Sequence, residues 1–332
     1  MTEPGHVPIV RLAPAKLNLT LSIGPRRSDG YHDLHSIMVP LGIADRLSVA
    51  RAQGLPDSLH VAGGDGPHAA APDDLVLRAF ATARRAVGRA ADAFPLAARL
   101  EKRIPIAAGL GGGSSDAAAA IDAALEAWGA ADAVTARDRV AIAMSIGSDV
   151  PFFLVGGPVL VEGRGDRLTP LRVPLGGPVG VLVVTPAVGV STPEAFRRFD
   201  AGGVASPADP HATRLTSEHL AAELRAGLRG EDLVARAGVL ATANDLVTAA
   251  AAIVPALRAF RRTVARLLGR PVGQSGSGPT LWALYPSLGE AEAAAAELAR
   301  CAASGELEAP GERPPRIHAT TIAGPDTGRI DA

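Results

Sequence analysis

Lys102-Arg103-Ile104-Pro105-Ile106-Ala107-Ala108-Gly109-Leu110-Gly111-Gly112-Gly113-Ser114-Ser115-Asp116 decides how this chain is read. A strand-like run ends, four glycines fall within five positions, and a helix-forming stretch runs from Ser115 to Trp128, closed by Gly129. Without a Cβ the backbone can approach an anion closely and take φ > 0 at little cost. The start of a helix adds unpaired N–H groups and the positive end of the helix dipole. Together these features make a phosphate cradle. It is neither of the two commonest cradles. A P-loop ends in Gly-Lys-Ser/Thr, and no lysine stands between these glycines and Ser114-Ser115. A dinucleotide fingerprint needs G-x-G-x-x-G, and its third glycine position is Ser114. A ligand-free glycine turn would not need this many glycines together with two hydroxyls at a helix start.

Composition bounds the rest. At 332 residues the chain exceeds one typical domain, so two lobes are expected. Hydrophobic residues make up 47% and aromatics only 3%, so the core must be built from Ala, Val and Leu. The net charge is −1 with no block of like charges, which points away from nucleic acid or an anionic membrane as partner. One cysteine, Cys301, excludes an internal disulfide and reads as a buried or half-buried packing residue. No basic stretch precedes an apolar core at the N-terminus, and the apolar run Val179–Val190 is short and carries Gly and Pro. A soluble cytoplasmic protein is expected.

Along the chain, Val10–Ile23 and Leu34–Val49 read as strand, the former alternating apolar and polar from Leu17. Leu75–Val87 reads as helix, Leu96–Ile106 as strand, Ala136–Ile146 as helix ending at Gly147, and Phe152–Glu162 as strand. Near Pro174 a second region begins, with a buried-type strand at Val179–Thr185. Residues 200–218, rich in Gly, Pro, Asp and Ser, read as a mobile loop. Helices are expected at about Glu218–Arg225, Leu246–Val254, Ala256–Leu267 and Leu288–Ala303, with strands at Leu281–Tyr285 and Ile317–Ile322. The predicted division is 1–173, 174–325 and a tail 326–332. Alternating elements argue for two α/β or α+β lobes, and no fixed period recurs that would signal a solenoid.

Three further segments stand in order around the glycine loop: Pro14-Ala15-Lys16-Leu17-Asn18 followed by Asp29-Gly30-Tyr31-His32; Gly147-Ser148-Asp149-Val150-Pro151; and Gln274-Ser275-Gly276-Ser277-Gly278. With Pro105 and the loop, they resemble the GHMP small-molecule kinases. Pro-Ala-Lys-Leu-Asn-Leu followed by Asp-Gly-Tyr-His is narrower and resembles the 4-diphosphocytidyl-2-C-methyl-D-erythritol kinase family. The likeness runs from about Ala13 to Thr280.

This resemblance implies an α+β fold of two lobes, a ribosomal-protein-like N-terminal lobe and a ferredoxin-like C-terminal lobe. It implies ATP with Mg²⁺, a small cytidine-diphosphate-linked alcohol as substrate, and a monomer or weak homodimer. The nucleotide would lie on Pro105, Ile106, Ala107, Ala108, Gly109, Leu110, Gly111, Gly112, Gly113, Ser114 and Ser115, with Asp74 near the adenine. Lys16 and Asp149 match the family's catalytic pair. Phosphoryl transfer needs a proton acceptor for the attacking hydroxyl, which suits Asp149 beside the extended residue expected before Pro151. Lys16 would hold that carboxylate ionised and lie near the transferred group. Tyr31 and His32 match the pair that holds cytosine, by stacking and by reading the base edge. Thr192 and Phe196 match residues closing the same pocket, and Asn18, Ser275 and Gly276 complete the substrate set. The other histidines, His6, His35, His60, His68, His211, His219 and His318, show no metal-ligand spacing. The chain departs from the family at Asp74, where Asn is usual, at Val247, where Glu is usual, and at Gln274, where Met is usual.

Overall fold

The computed structural model describes residues 7–52, 56–63, 68–69, 73–88, 94–202 and 210–324. His6 and the predicted tail lie outside these residues. In chain order the strands are β1 (Ile9–Arg26), β2 (His32–Arg51), β3 (Ser58–Gly63), β4 (His68–Ala69), β5 (Leu96–Lys102), β6 (Val159–Gly163), β7 (Arg167–Pro170), β8 (Gly180–Thr185), β9 (Gly273–Gln274), β10 (Leu281–Tyr285) and β11 (Arg316–Thr321). The helices are α1 (Leu75–Ala86), α2 (Gly112–Ala127), α3 (Ala136–Ile146), α4 (Val150–Val155), α5 (Thr192–Asp200), α6 (Pro210–Ala226), α7 (Gly230–Ala235), α8 (Ala237–Leu240), α9 (Val247–Ile253), α10 (Ala256–Leu268) and α11 (Leu288–Ala303).

β2 organises the first sheet. One of its edges carries β1 along nearly its whole length, while β5 pairs its C-terminal half and β6 its N-terminal half. β3, β4 and β7 extend that sheet outward, and only β3 with β5 is parallel. The second sheet runs β11-β8-β10-β9, all antiparallel. The Ile322 N–H donates to the Val179 carbonyl and the Ala323 N–H to that of Pro40, which ties the end of β11 to β2. Alanine makes the tight packing possible. On α2, Ala117, Ala120, Ala123 and Ala124 are fully buried, so this helix lies close on the sheet and on α1.

Register shifts in β1 flank Lys16 and Asn18 and set the side to which each residue points. Asn18 faces Met38, whereas Thr20 faces Ile37, so one residue of β1 is extra there. The alternation therefore changes phase. Lys16 and Asn18 face one side, and past the bulge Leu21 takes that side instead of Thr20.

Several expectations are corrected. Phe152–Glu162 is not one strand: α4 occupies Val150–Val155, and β6 starts at Val159. Pro151 stands in the first turn, where its missing N–H costs nothing, and Gly156 at φ 73° ends the helix. The aromatic pair Phe152-Phe153 had imitated a strand. Val150 is accordingly helical rather than extended. Of the loop expected at 200–218, residues 203–209 lie outside the described residues, and from Pro210 the chain is helical. The buried face of α6 is Thr213, Ser217, Leu220, Ala221 and Leu224. Its first two members are polar, which hid the helical stripe. α2 begins at Gly112, three residues before its expected start, with Gly111 capping it in the left-handed region. The strand expected at Leu96–Ile106 ends at Lys102.

Candidate active site

The glycine loop lies over Lys16, and two of its glycines, Gly109 and Gly111, make room for a named neighbour. A Cβ on Gly111, at φ 69°, would sit 2.8 Å from the Cγ of Lys16. One on Gly109, at φ 76°, would sit 2.6 Å from the Ser275 carbonyl oxygen. These are approaches that no other residue allows. The Lys16 N–H donates to the Leu110 carbonyl at 2.9 Å, and the Ser275 hydroxyl donates to the Gly109 carbonyl at 3.0 Å. The loop is thus pinned from both sheets, with the start of α2 facing a cleft of about 480 Å³.

Lys16 is 4% exposed. Its ammonium donates to Asn18 Oδ1 at 2.6 Å and stands 3.5 Å from an Asp149 carboxylate oxygen. Asp149 precedes α4, and its carboxylate caps no helix N–H. A third of that side chain is exposed, so it is open to an incoming group. Its place at a helix start is favourable for a carboxylate. Asp149 thus follows the end of α3, two residues past its cap Gly147, and opens α4.

A buried lysine with two carboxylates forms the floor, a cluster that sequence reasoning missed. Lys102 Nζ pairs with Asp45, which is fully buried, and with Asp116 at 2.6 Å. Asp45 also accepts the backbone N–H groups of Arg103 and Ile104. One lysine therefore ties the two ends of the glycine loop together. Burial is the main force that pushes the Asp116 carboxyl up, to about 8, with Asp45 adding and Lys102 opposing. Asp116 Oδ1 has no hydrogen-bond partner, and the residue lines the cleft. The one available signal was the polar bracket Lys102…Asp116 around the loop; its partner Asp45 lies far away in sequence.

The predicted site residues divide into two groups. Lys16, Asn18, Asp74, Pro105, Ile106, Ala107, Ala108, Gly109, Leu110, Gly111, Gly112, Gly113, Ser114, Asp149, Thr192, Phe196 and Gly276 line one cleft. Ser115, Ser275, Tyr31 and His32 do not. Ser115 is buried on α2, and Ser275 spends its hydroxyl on Gly109 and the Asn18 N–H. His32 is 7% exposed. Its Nδ1 is 2.9 Å from the Gly24 carbonyl, and its Nε2 is 2.9 Å from Asp200 without hydrogen-bond alignment. The ring stacks on Phe196 at 5.6 Å and meets Phe199 edge-on. His32 therefore stands behind Phe196 in the cleft wall, with its Nε2 buried and without a hydrogen-bond partner. Tyr31 is 48% exposed, with the Arg164 guanidinium 3.8 Å above its ring. Thr192 begins α5 and exchanges a hydrogen bond of 2.9 Å with Ser277.

The departures have local accounts. Asp74 caps α1 by accepting from the Val76 N–H at 2.8 Å, a role open equally to Asn. Gln274 is buried beneath the Ser275–Gly278 turn and donates weakly to the Gly276 carbonyl at 3.4 Å. Val247 opens α9, and nothing in the structure requires a carboxylate there. Among the described residues no group of three or more His, Cys, Asp or Glu stands ready to hold a metal, and no helix is long and apolar enough to cross a membrane.

Residues 74–157, from the cap of α1 through the glycine loop and Asp149, match the N-terminal domain of the GHMP kinases. A 4-diphosphocytidyl-2-C-methyl-D-erythritol kinase of Anaeromyxobacter dehalogenans is 39% identical over 300 residues, 86% of this chain and 84% of that protein. One from Deinococcus radiodurans is 38% identical over 301 residues, 90% of this chain and 92% of its own. A crystal structure of 4-(cytidine 5'-diphospho)-2C-methyl-D-erythritol kinase superposes with a TM-score of 0.67 at 34% identity, covering 95% of this chain and all of that one. A homoserine kinase from Cytophaga hutchinsonii reaches the same TM-score at 17% identity, which speaks for the fold alone. With Lys16, Asp149 and the glycine loop assembled around one cleft, the chain belongs to the 4-diphosphocytidyl-2-C-methyl-D-erythritol kinases, a branch of the GHMP kinases.

Proposed function

We propose that this chain transfers the γ-phosphoryl group of ATP to the 2-hydroxyl of 4-diphosphocytidyl-2-C-methyl-D-erythritol, a step of the methylerythritol phosphate route to isoprenoid precursors. The observation that carries the reading is the Lys16–Asp149 pair, 3.5 Å apart, beneath a glycine loop whose Gly111 permits no side chain. The substrate hydroxyl attacks the γ-phosphorus, the bond to the departing ADP oxygen breaks, and the hydroxyl proton goes to the exposed Asp149 carboxylate. Lys16 offsets charge at the phosphoryl oxygens, held in place by Asn18. The N–H groups at the start of α2 bind the phosphates. The Ser114 hydroxyl and the Asp116 carboxyl, the latter once the ion displaces its proton, line the cleft as hard oxygen donors and fit a Mg²⁺ held chiefly by ATP phosphates. That ion would neutralise phosphate charge. The cytosine end lies toward Tyr31, Thr192 and Phe196, with His32 supporting Phe196. The lobes divide near residues 173 and 174, and the protein works in the cytoplasm as a monomer or weak dimer.

The test is ADP release with the cytidylylated alcohol, homoserine or mevalonate as acceptor. Turnover should need the cytidylylated alcohol. Preference for either of the others would overturn the assignment.

A further inference from the structure

Beside the cleft runs a chain of hydrogen bonds, separate from the Asp45–Lys102–Asp116 floor, in which every proton has one possible direction. Lys16 Nζ donates to Asn18 Oδ1 at 2.6 Å. Asn18 Nδ2 donates to the Ser36 hydroxyl oxygen at 2.8 Å. The Ser36 hydroxyl donates to the Thr20 carbonyl at 2.6 Å. Ser36 and Thr20 are fully buried and Asn18 is 2% exposed, so water offers no alternative partner.

The direction is set by the end of the run. A backbone carbonyl only accepts, so it commits the single proton of Ser36. Ser36 can then only accept from Asn18. The amide must turn its NH₂ toward Ser36, which leaves Oδ1 facing the ammonium. With the amide reversed, an NH₂ group would face the Lys16 ammonium and a carbonyl would face a hydroxyl with no proton to give. Each mismatch in a dry site costs on the order of an unmade hydrogen bond. The bulge in β1 makes this geometry possible, because it places the Thr20 carbonyl beside Ser36 on β2. The run continues sideways: Thr20 Oγ1 accepts from the Ile37 N–H at 3.0 Å and donates to Ser217 Oγ at 2.8 Å. Ser217 lies on α6 and meets His35 Nδ1 at 2.9 Å.

We infer that Ser36 is a positioning residue for phosphoryl transfer: it sets the Asn18 amide so that the carbonyl holds the Lys16 ammonium 3.5 Å from Asp149 rather than letting it close on the carboxylate. This rests on the reading of Lys16 as catalytic. Ser36 touches neither nucleotide nor alcohol. A misplacement of a reacting group by about 1 Å costs roughly 10²-fold.

The experiment uses wild type, Ser36→Ala, Ser36→Thr, Asn18→Ala and the Ser36→Ala/Asn18→Ala double variant. Ser36→Ala should lower kcat by about ten- to a hundredfold with ATP affinity in calorimetry and cooperative melting retained. Ser36→Thr, which keeps the hydroxyl, should recover most of that loss. In the Asn18→Ala background the Ser36→Ala change should add almost nothing, because its effect passes through the amide. Equal losses in both backgrounds would mean that Ser36 acts on packing, and the inference falls. The Asn18 side-chain amide signal, assigned by its loss in Asn18→Ala, offers a readout that needs no substrate. It should be protected from solvent exchange in wild type and lose protection in Ser36→Ala. Unchanged protection overturns the inference. No turnover of the cytidylylated alcohol by wild type would instead defeat the substrate reading, and the amide result would still decide on Ser36.

Discussion

A Cβ added to Gly111 would lie 2.8 Å from the Cγ of Lys16, so the apex of the glycine loop and the stem of Lys16 occupy neighbouring space that only glycine leaves open. In the proposed reaction the loop serves two groups at once, the nucleotide above it and the lysine below.

Gly111→Ala and Gly113→Ala should accordingly fail differently. Gly111 is at φ 69°, where an alanine is strained by roughly 1–2 kcal/mol and also pushes on Lys16. Gly113 has no positive φ, and its Cβ would meet only Leu75 Cδ1 at 3.5 Å. We expect Gly111→Ala to lower kcat and ATP affinity together, and Gly113→Ala to leave kcat within a few-fold of wild type. Steady-state kinetics with calorimetry separates them, and equal loss of kcat in both would show that the Lys16 contact is irrelevant.

Asp149→Asn should abolish most turnover while ATP still binds. Loss of a general base costs about 10²–10⁴-fold. The carboxylate makes no helix-capping bond, so the substitution should leave melting nearly unchanged. Single-turnover rates retaining more than roughly a tenth of wild type would remove Asp149 from the base role. Lys16→Met should be similarly inactive, and unchanged turnover there would break the pair.

Tyr31→Ala should weaken the cytidylylated alcohol without affecting ATP. One ring face is covered by Arg164, leaving the other for a base. Stacking of this kind contributes about 1–3 kcal/mol. Comparing kcat/KM for the cytidylylated alcohol and for methylerythritol without the nucleotide, in both proteins, decides the matter. Equal use of the two alcohols by wild type defeats the nucleotide handle.

Asp116 carries a stability signature in pH. Its carboxyl is raised in the fold from an ordinary value near 3.8 to about 8, chiefly by burial. The folded state thus holds a proton that the unfolded chain releases. Its contribution is complete below the unfolded value and is lost as pH rises through about 8. Asn imitates the protonated form, so the melting temperature of Asp116→Asn relative to wild type should climb between pH 5 and pH 9. A constant difference across that range would show that Asp116 does not titrate there.

Local chemistry was enough to read several parts of this protein from its residues. The glycine crowding at Gly109–Gly113, the hydroxyls after it and the long helix behind them specify a tight loop running into a helix start, because close backbone approach depends on missing Cβ atoms, which are written in consecutive positions. Leu281–Tyr285 and Val179–Thr185 were legible as buried strands for the same reason. The spacing of Lys16, Asp149 and Gly276 along the chain carries no distance, and only the paired sheets bring them to one cleft. Pro151 and the aromatic pair misled the reading of α4, and two polar residues on its buried face concealed the start of α6. The packing of His32 was not legible, because a sequence does not reveal that the Gly24 carbonyl meets its Nδ1 and that Phe196 and Phe199 enclose its ring. Asp45, Lys102 and Asp116, and likewise Asn18, Ser36 and Thr20, acquire their meaning from partners on other strands. A buried polar group is defined by whichever atom satisfies it, and that atom is chosen by the fold.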